Sequence, residues 1–496
     1  MSTTSIRPTV VARSIAAGSG RDAGRAERSP WATAGPIVRG LLCVYAALAA
    51  WLPTGEWPID TRIVLVVFAL ATAAWTVTRM DDTVVALAAS LLLVLTGILP
   101  SSEFFAALGD PVVWLLVGAC MLAAGVTASG LTDRATARIV GGAGSVRGVM
   151  HRVTFALFLS AFAVPSTSGR AALAVPVFAT LGRACDSRRL QVGLSLLFPA
   201  VILLTAVASL MGAGAHLVTA ELLRVATGVE VSFLWWALLG VPVAVVCAHL
   251  AAEVVLWTVL RGDDRRMPVA DVVAAVRRPA EPLSGAEWRA LLLLGGVIAL
   301  WLTEPLHGLH PALVAVLGGL LAIAPGTGTT TAKQAMDQVP WSLLLFLATT
   351  LALGVAFVDT GAASRLADAA LAPLAGVDPT IVLGVIVALS AIAHLFVQSR
   401  SARSSVLVPI VLALAVPAGL NPVSAALAST AAAGFCLTLT SSAKPVALFA
   451  RVDEVATFDR AGLLRFAAVM APLTVGVIVA AALGLWPLLG VPVLAP

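Results

Sequence analysis

The sequence is short of charge. Of 496 residues, 11% are Asp, Glu, Lys or Arg and 59% are apolar, whereas an ordinary soluble domain is roughly 25% charged. Mean hydropathy is +0.99. Such a chain cannot cover itself with a water-facing shell, which excludes a soluble enzyme, a nucleic-acid binder and a disordered protein. Lysine is nearly missing: of 31 basic residues, only Lys333 and Lys444 are not arginine. The net charge of +5 is small and sits mostly on loop arginines, so it implies no nucleic-acid partner. Cysteine is also scarce. Cys43, Cys120, Cys185, Cys247 and Cys436 lie in or beside apolar segments without metal-ligand spacing, and read as small packing residues. The histidines (His151, His216, His249, His307, His310 and His394) are scattered, with no metal pair or nucleophile triad, so the chain does not read as an enzyme.

What the chain has in abundance is apolar sequence. Residues 83–102, 111–132, 231–252 and 379–399 contain no charged residue over about the length that spans a hydrocarbon core. The runs 404–443 and 466–496 are longer still. With the shorter apolar runs, about eleven transmembrane helices are expected. The expected fold is therefore an all-α, polytopic membrane protein. Residues 1–36 are polar and rich in arginine, read as a disordered cytoplasmic tail with no cleavable signal peptide. The segment 261–289 carries six arginines and reads as a cytoplasmic linker between membrane halves 37–260 and 290–496. No basic residue follows Arg465, so the C-terminus is expected outside.

The two halves resemble each other. Asp110-Pro111 opens one helix that should end near Ser129-Gly130; Pro340-Trp341 opens another that should end near Thr360-Gly361. Each is followed by a segment with scattered charges (132–148 and 362–378), expected to lie along the membrane surface. A sharper match follows. Ser166, Ser168, Arg170 and Pro176 recur as Ser399, Ser401, Arg403 and Pro409, always 233 residues on. Matching polar breaks in two membrane halves point to a transporter's binding site, although small hydroxyl residues also allow close helix packing. A glycine-rich break, Gly212-Ala213-Gly214, follows the first cluster; a hydroxyl-rich one, Thr440-Ser441-Ser442-Ala443-Lys444, follows the second.

Acid is missing where these cations sit. No Asp or Glu lies between Asp133 and Asp186 around Arg170, or between Asp378 and Asp453 around Arg400, Arg403 and Lys444. A charge at membrane depth costs at least about 2.5–3.5 kcal/mol on insertion scales and usually has a partner. Three accounts stay open: distant acids (Asp110, Glu221, Glu304), snorkelling to the interface, or an anionic substrate.

These residues resemble the divalent anion/sodium symporter family of dicarboxylate, citrate and sulfate carriers, over roughly residues 80–490. The resemblance rests on Ser166-Thr167-Ser168 with Pro176, Ser399-Arg400-Ser401 with Pro409, the two helix openings, and the breaks at Gly212–Gly214 and Thr440–Lys444. It implies inverted repeats, two re-entrant hairpins with tips near 166–170 and 399–403, a homodimer in the plasma membrane, and elevator-type movement of a small anion. It also implies an anion site at Ser166, Thr167, Ser168, Arg170, Ser399, Arg400, Ser401, Arg403, Thr440 and Lys444. A single sodium site would fall at Ser166, Thr167, Gly212 and Gly214, with sodium as coupling ion and no other cofactor. Thr167, Arg400 and Lys444 stand where the family has asparagines, so the second sodium site is expected to be lost to a tethered cation. A citrate- or arsenite-type carrier of a related family, or a member that no longer transports, are the alternatives.

Overall fold

The computed structural model describes residues 57–78, 80–277, 281–365 and 376–495. The expected N-terminal tail and Cys43 lie outside the described residues. Apart from one antiparallel bridge between Leu420 and Leu494, the regular elements among the described residues are helices. The all-α architecture therefore follows the sequence.

The elements that position the site are α1 (Ile59–Val77), α2 (Asp82–Leu95), α3 (Pro111–Ala128), α4 (Leu131–Val140), α5 (Val146–Ala163), α6 (Thr167–Arg183), α7 (Arg188–Leu204), α8 (Gly214–Thr227) and α9 (Phe233–Thr258). The second half supplies α10 (Gly285–Leu302), α11 (Pro311–Ile323), α12 (Trp341–Asp359), α13 (Pro379–Ile392), α14 (Arg400–Ala415), α15 (Pro422–Ala433), α16 (Lys444–Phe449) and α17 (Arg460–Ala480). Among the described residues, eight helical stretches are long and apolar enough to cross a membrane, and four apolar helices of 10–17 residues are shorter. At 1.5 Å per residue the 12-residue α15 reaches about 18 Å, short of a 30 Å hydrocarbon core. The long charge-free run 404–443 is cut by Gly419 at φ +72° and by Pro422, the first residue of α15. Turns inside a long apolar run thus interrupt the helix, so the length of the run does not fix where each helix ends.

Local chemistry sets the helix ends. Asp110, Ser145, Ser187, Ser232, Asp378, Asn421 and Asp459 each accept a first-turn amide at a helix start. Helices α3 and α12 stop where expected, at left-handed Gly130 (φ +79°) and Gly361 (φ +68°), a conformation that favours glycine.

The internal repeat is visible in the helix starts. Val146 and Pro379 open α5 and α13, and Thr167 and Arg400 open α6 and α14, again 233 residues apart. Packing repeats too: α5 and α6 both lie on α7, as α13 and α14 both lie on α15. Around these stand α1 and α2 against α12, and α3 against α11. The last pair touches at glycines, since a Cβ on Gly118 would lie 2.4 Å from the Ala315 backbone.

The described parts of the linker, 261–277 and 281–289, are docked on the bundle. Asp264 accepts from Ser187 Oγ at 2.7 Å and the Arg261 amide at 3.0 Å, and pairs with Arg189 at 3.3 Å. Arg134 of α4 reaches Glu287 at 2.5 Å and the carbonyls of Glu281 and Pro282, so α4 is tied to this segment. The Ser187 hydroxyl, more than any other group, holds the Asp264 carboxyl below the usual carboxylate range. Asp264→Asn should cost about 1 kcal/mol, allowing for screening at the half-exposed Arg189. Because the folded-state carboxyl titrates lower than the unfolded one, that margin is full above pH ~4 and fades as pH falls further. Thermal melts of both proteins from pH 7 downward measure it.

Candidate functional site

Both hydroxyl clusters are helix starts. Ser166 Oγ accepts the Gly169 amide at 3.2 Å and caps α6; Ser399 Oγ accepts the Ala402 amide at 3.3 Å and caps α14. Their repeated position therefore has a structural reason, and each hydroxyl still has a proton to donate. Thr167, Ser168 and Ser401 are half-buried beside them. Ser401 faces the first break: a Cβ on Gly214 would lie 3.1 Å from its Oγ and 2.7 Å from Leu343. The second tip thus closes over the first half's glycine break, whereas the sequence paired each break with the tip of its own half.

The repeat-related arginines have opposite surroundings. Arg170 is 2% exposed and fully engaged. Its Nε donates to Ser160 Oγ at 2.9 Å, Nη1 to the Ile202 carbonyl at 3.0 Å, and Nη2 to the Leu157 carbonyl at 2.6 Å and Thr205 Oγ1 at 2.7 Å. It ties α5 and α6 to the end of α7, where the backbone turns into the break. A cavity of about 50 Å³ beside it is lined by Asp133, Thr136 and Ser160 among others. That is room for a few waters, with a carboxylate already on the wall.

Arg403, 233 residues later, is 0% exposed. Its Nη2 donates to Cys436 Sγ at 3.0 Å, while Nε and Nη1 are buried without a partner. Arg400, one turn earlier on α14, donates Nη2 to His216 Nε2 at 3.1 Å, and its Nε and Nη1 are likewise buried and unpartnered. Gly434 leaves room for this guanidinium, since a Cβ there would meet Arg400 Nη2 at 2.5 Å. The Ser404 and Ser209 hydroxyls are also buried without partners. The two guanidiniums form no ion pair among the described residues. Leaving buried charge-bearing donors unsatisfied is costly, so this cluster demands acceptors, and anionic ones answer the charge as well.

The distant acids do not supply them. Asp110 and Glu221 both turn to Arg224, and Glu304 lies in the short helix Glu304–His307. Lys444 and Thr440 are exposed, unlike the arginines. Asp82 at the start of α2 lies near Ser399 and within electrostatic reach of Lys444, a neighbour hidden by its distance along the chain. Two histidines that look scattered in sequence also meet: His151 Nδ1 lies 2.8 Å from His249 Nδ1, with Glu253 on His151 Nε2 at 2.6 Å. No group of three metal-ligating side chains occurs among the described residues.

The comparison with known proteins bears on all of this. The family model for the sodium:sulfate symporter transmembrane region matches residues 40–491. The chain belongs to that symporter family. A chloroplastic dicarboxylate transporter 1 from Spinacia oleracea is 25% identical, over 81% of this chain and 73% of that protein. The sodium-dependent dicarboxylate transporter SdcS of Staphylococcus saprophyticus is 23% identical, over 72% and 74%. Two solved structures share the fold: the Alcanivorax borkumensis YdaH transporter (TM-score 0.52, 17% identity, 88% of this chain and 100% of that one) and Neisseria gonorrhoeae MtrF (0.54, 13%, 88% and 97%). This symporter-family chain is thus a multi-pass membrane transporter, as the sequence resemblance led one to expect.

Sequence reasoning missed His216, Cys436 and Gly434 as neighbours of the arginines. His216 stood in the glycine break and was the one legible signal; a lone cysteine and a lone glycine gave none. The contrast between the arginines is testable. Arg170→Leu removes four buried hydrogen bonds from a charged donor and should destabilise the protein by about 3 kcal/mol or more, at ~1.5–3 per bond to a charged group with some compensation. Thermal unfolding in detergent measures this, and added anions should not restore the loss.

Proposed function

We propose that this protein is a secondary transporter carrying a small dianion, a dicarboxylate or sulfate, across a bacterial plasma membrane, with the anion held by Arg400 and Arg403. One observation carries the reading: four buried guanidinium nitrogens without acceptors, in a stretch of chain without acid. That relatives of this chain are dicarboxylate transporters supports the substrate class. Ser399, Ser401 and Ser404 lie beside the arginines to donate further bonds, and Arg can present several N–H groups to one oxyanion. Arg170 serves the frame of the site, and Ser166, Thr167 and Ser168 face the anion from the other tip. Lys444 and Thr440 line the way in.

In this proposal the hairpin helices α5–α7 and α13–α15 move together as an elevator against α1–α3 and α10–α12, within a homodimer whose N-terminus is cytoplasmic and whose C-terminus is outside. The arginine nitrogens are sealed from solvent here, so the anion enters and leaves only when the tips part. A sodium ion at the second tip would stand against a fixed guanidinium. Two unit charges about 4 Å apart cost about 4 kcal/mol at an effective dielectric near 20. Coupling then involves at most one sodium ion, at the first tip with Ser166, Thr167 and the Gly212–Gly214 backbone. A doubly charged empty site crosses the membrane reluctantly, which favours exchange of anions over net uptake.

Reconstituted vesicles test both parts. Arg400→Gln and Arg403→Gln should each reduce uptake of labelled succinate and sulfate at least tenfold, with the protein still folded. Internal anion should accelerate uptake severalfold. Transport driven by more than one sodium ion per anion would refute the assignment of the second tip.

A further inference from the structure

The two arginines are held in the same manner by residues from the two different breaks. His216 starts α8 after the first break, and Cys436 lies in the non-helical stretch after α15. Both are 0% exposed. His216 Nδ1 lies 3.0 Å from the Ser209 carbonyl, which can only accept, so Nδ1 carries the proton. Nε2 faces Arg400 Nη2, which can only donate, so Nε2 is bare. These two bonds define a neutral imidazole. The ring is wedged against Trp236 at 5.1 Å between centroids, and Trp236 is itself anchored by its indole N–H on the Val207 carbonyl at 2.9 Å. On the other side, Cys436 Sγ accepts from Arg403 Nη2 and lies 3.7 Å from the Ala433 carbonyl, to which its S–H is directed.

Both partners thus take Nη2 and leave Nε and Nη1 open, and both are uncharged. A carboxylate at either position would grip the guanidinium more strongly, but it would cancel the charge and fill the place of the ligand. Resting on the reading of Arg400 and Arg403 as anion ligands, we propose that His216 and Cys436 are positioning residues that aim the two guanidiniums while preserving both positive charges. Neutral acceptors at these two positions set the charge selectivity of the site. His216 also links the halves: the first break steadies the second tip through His216, and the second half's own break does so through Cys436.

The test uses the full-length protein purified in detergent, with succinate and sulfate as probes, read by thermal shift and by calorimetric titration. His216→Gln and Cys436→Ser keep an uncharged acceptor; His216→Glu and Cys436→Asp introduce a carboxylate. The Gln and Ser variants should bind both anions within about fivefold of the parent. The Glu and Asp variants should lose at least a hundredfold in affinity, yet melt no lower than the parent without anion, because each forms an ion pair with its arginine. A merely structural role predicts the opposite ordering, with stability and binding falling together. The inference is overturned if the carboxylate variants bind like the parent, if they do not fold, or if the Gln and Ser variants lose binding as fully as they do. Arg400→Gln and Arg403→Gln separate the two levels. If these retain full binding, or if the parent binds neither anion, the anion site itself is misplaced; if they lose it while the carboxylate variants keep it, only the role of His216 and Cys436 fails.

Discussion

Two guanidinium groups on one helix turn, each with two nitrogens sealed from water and neither paired with a carboxylate among the described residues, impose the constraint around which the rest of this protein is arranged. An arginine does not shed its proton to escape burial, so the charge must be answered by an acceptor or by a ligand. At Arg403 and Arg400 the protein supplies one acceptor each, a thiol sulfur and an imidazole nitrogen, and leaves two nitrogens on each group open. The breaks in the helices exist at the same place. Gly214 and Gly434 bring backbone close to the tip, where any side chain would displace Ser401 or Arg400.

The internal repeat gives this arrangement its meaning. Two copies of one helical unit present a serine cap, an arginine four residues on and a proline ten residues on, and both copies pack their paired helices on the next one. The copies then diverge in how they use their cations, and Arg400 stands where the first copy has Thr167. Arg170 is consumed by two carbonyls and two hydroxyls at the end of α7, while Arg403 is left open. One copy uses the cation to hold a helix end together, and the other keeps it for chemistry. A symmetric frame with an asymmetric site suits a carrier, which must present one ligand to two sides with the same moving parts.

Much of this was legible in the chain. The membrane class, the helical architecture, the 233-residue repeat, the helix ends at Gly130 and Gly361 and the family were all present in spacing and composition, because these depend on local hydrophobicity and on residues within a few positions of each other. The site was legible only in part. The acid-free stretches singled out Arg170, Arg400, Arg403 and Lys444 together, and the structure separates them into an engaged clamp, an open pair and an exposed lysine. The acids proposed as partners, Asp110 and Glu221, belong instead to Arg224.

Local sequence settles what the chain is made to dissolve in and how often its plan is repeated, since a residue's transfer free energy and a helix's start and stop travel with the local chain. Which arginine is free was decided only by tertiary packing. Hydrogen-bond satisfaction is a property of neighbours within about 3 Å, and here those neighbours arrive from residues 33 and 184 positions away, a separation that no local pattern encodes.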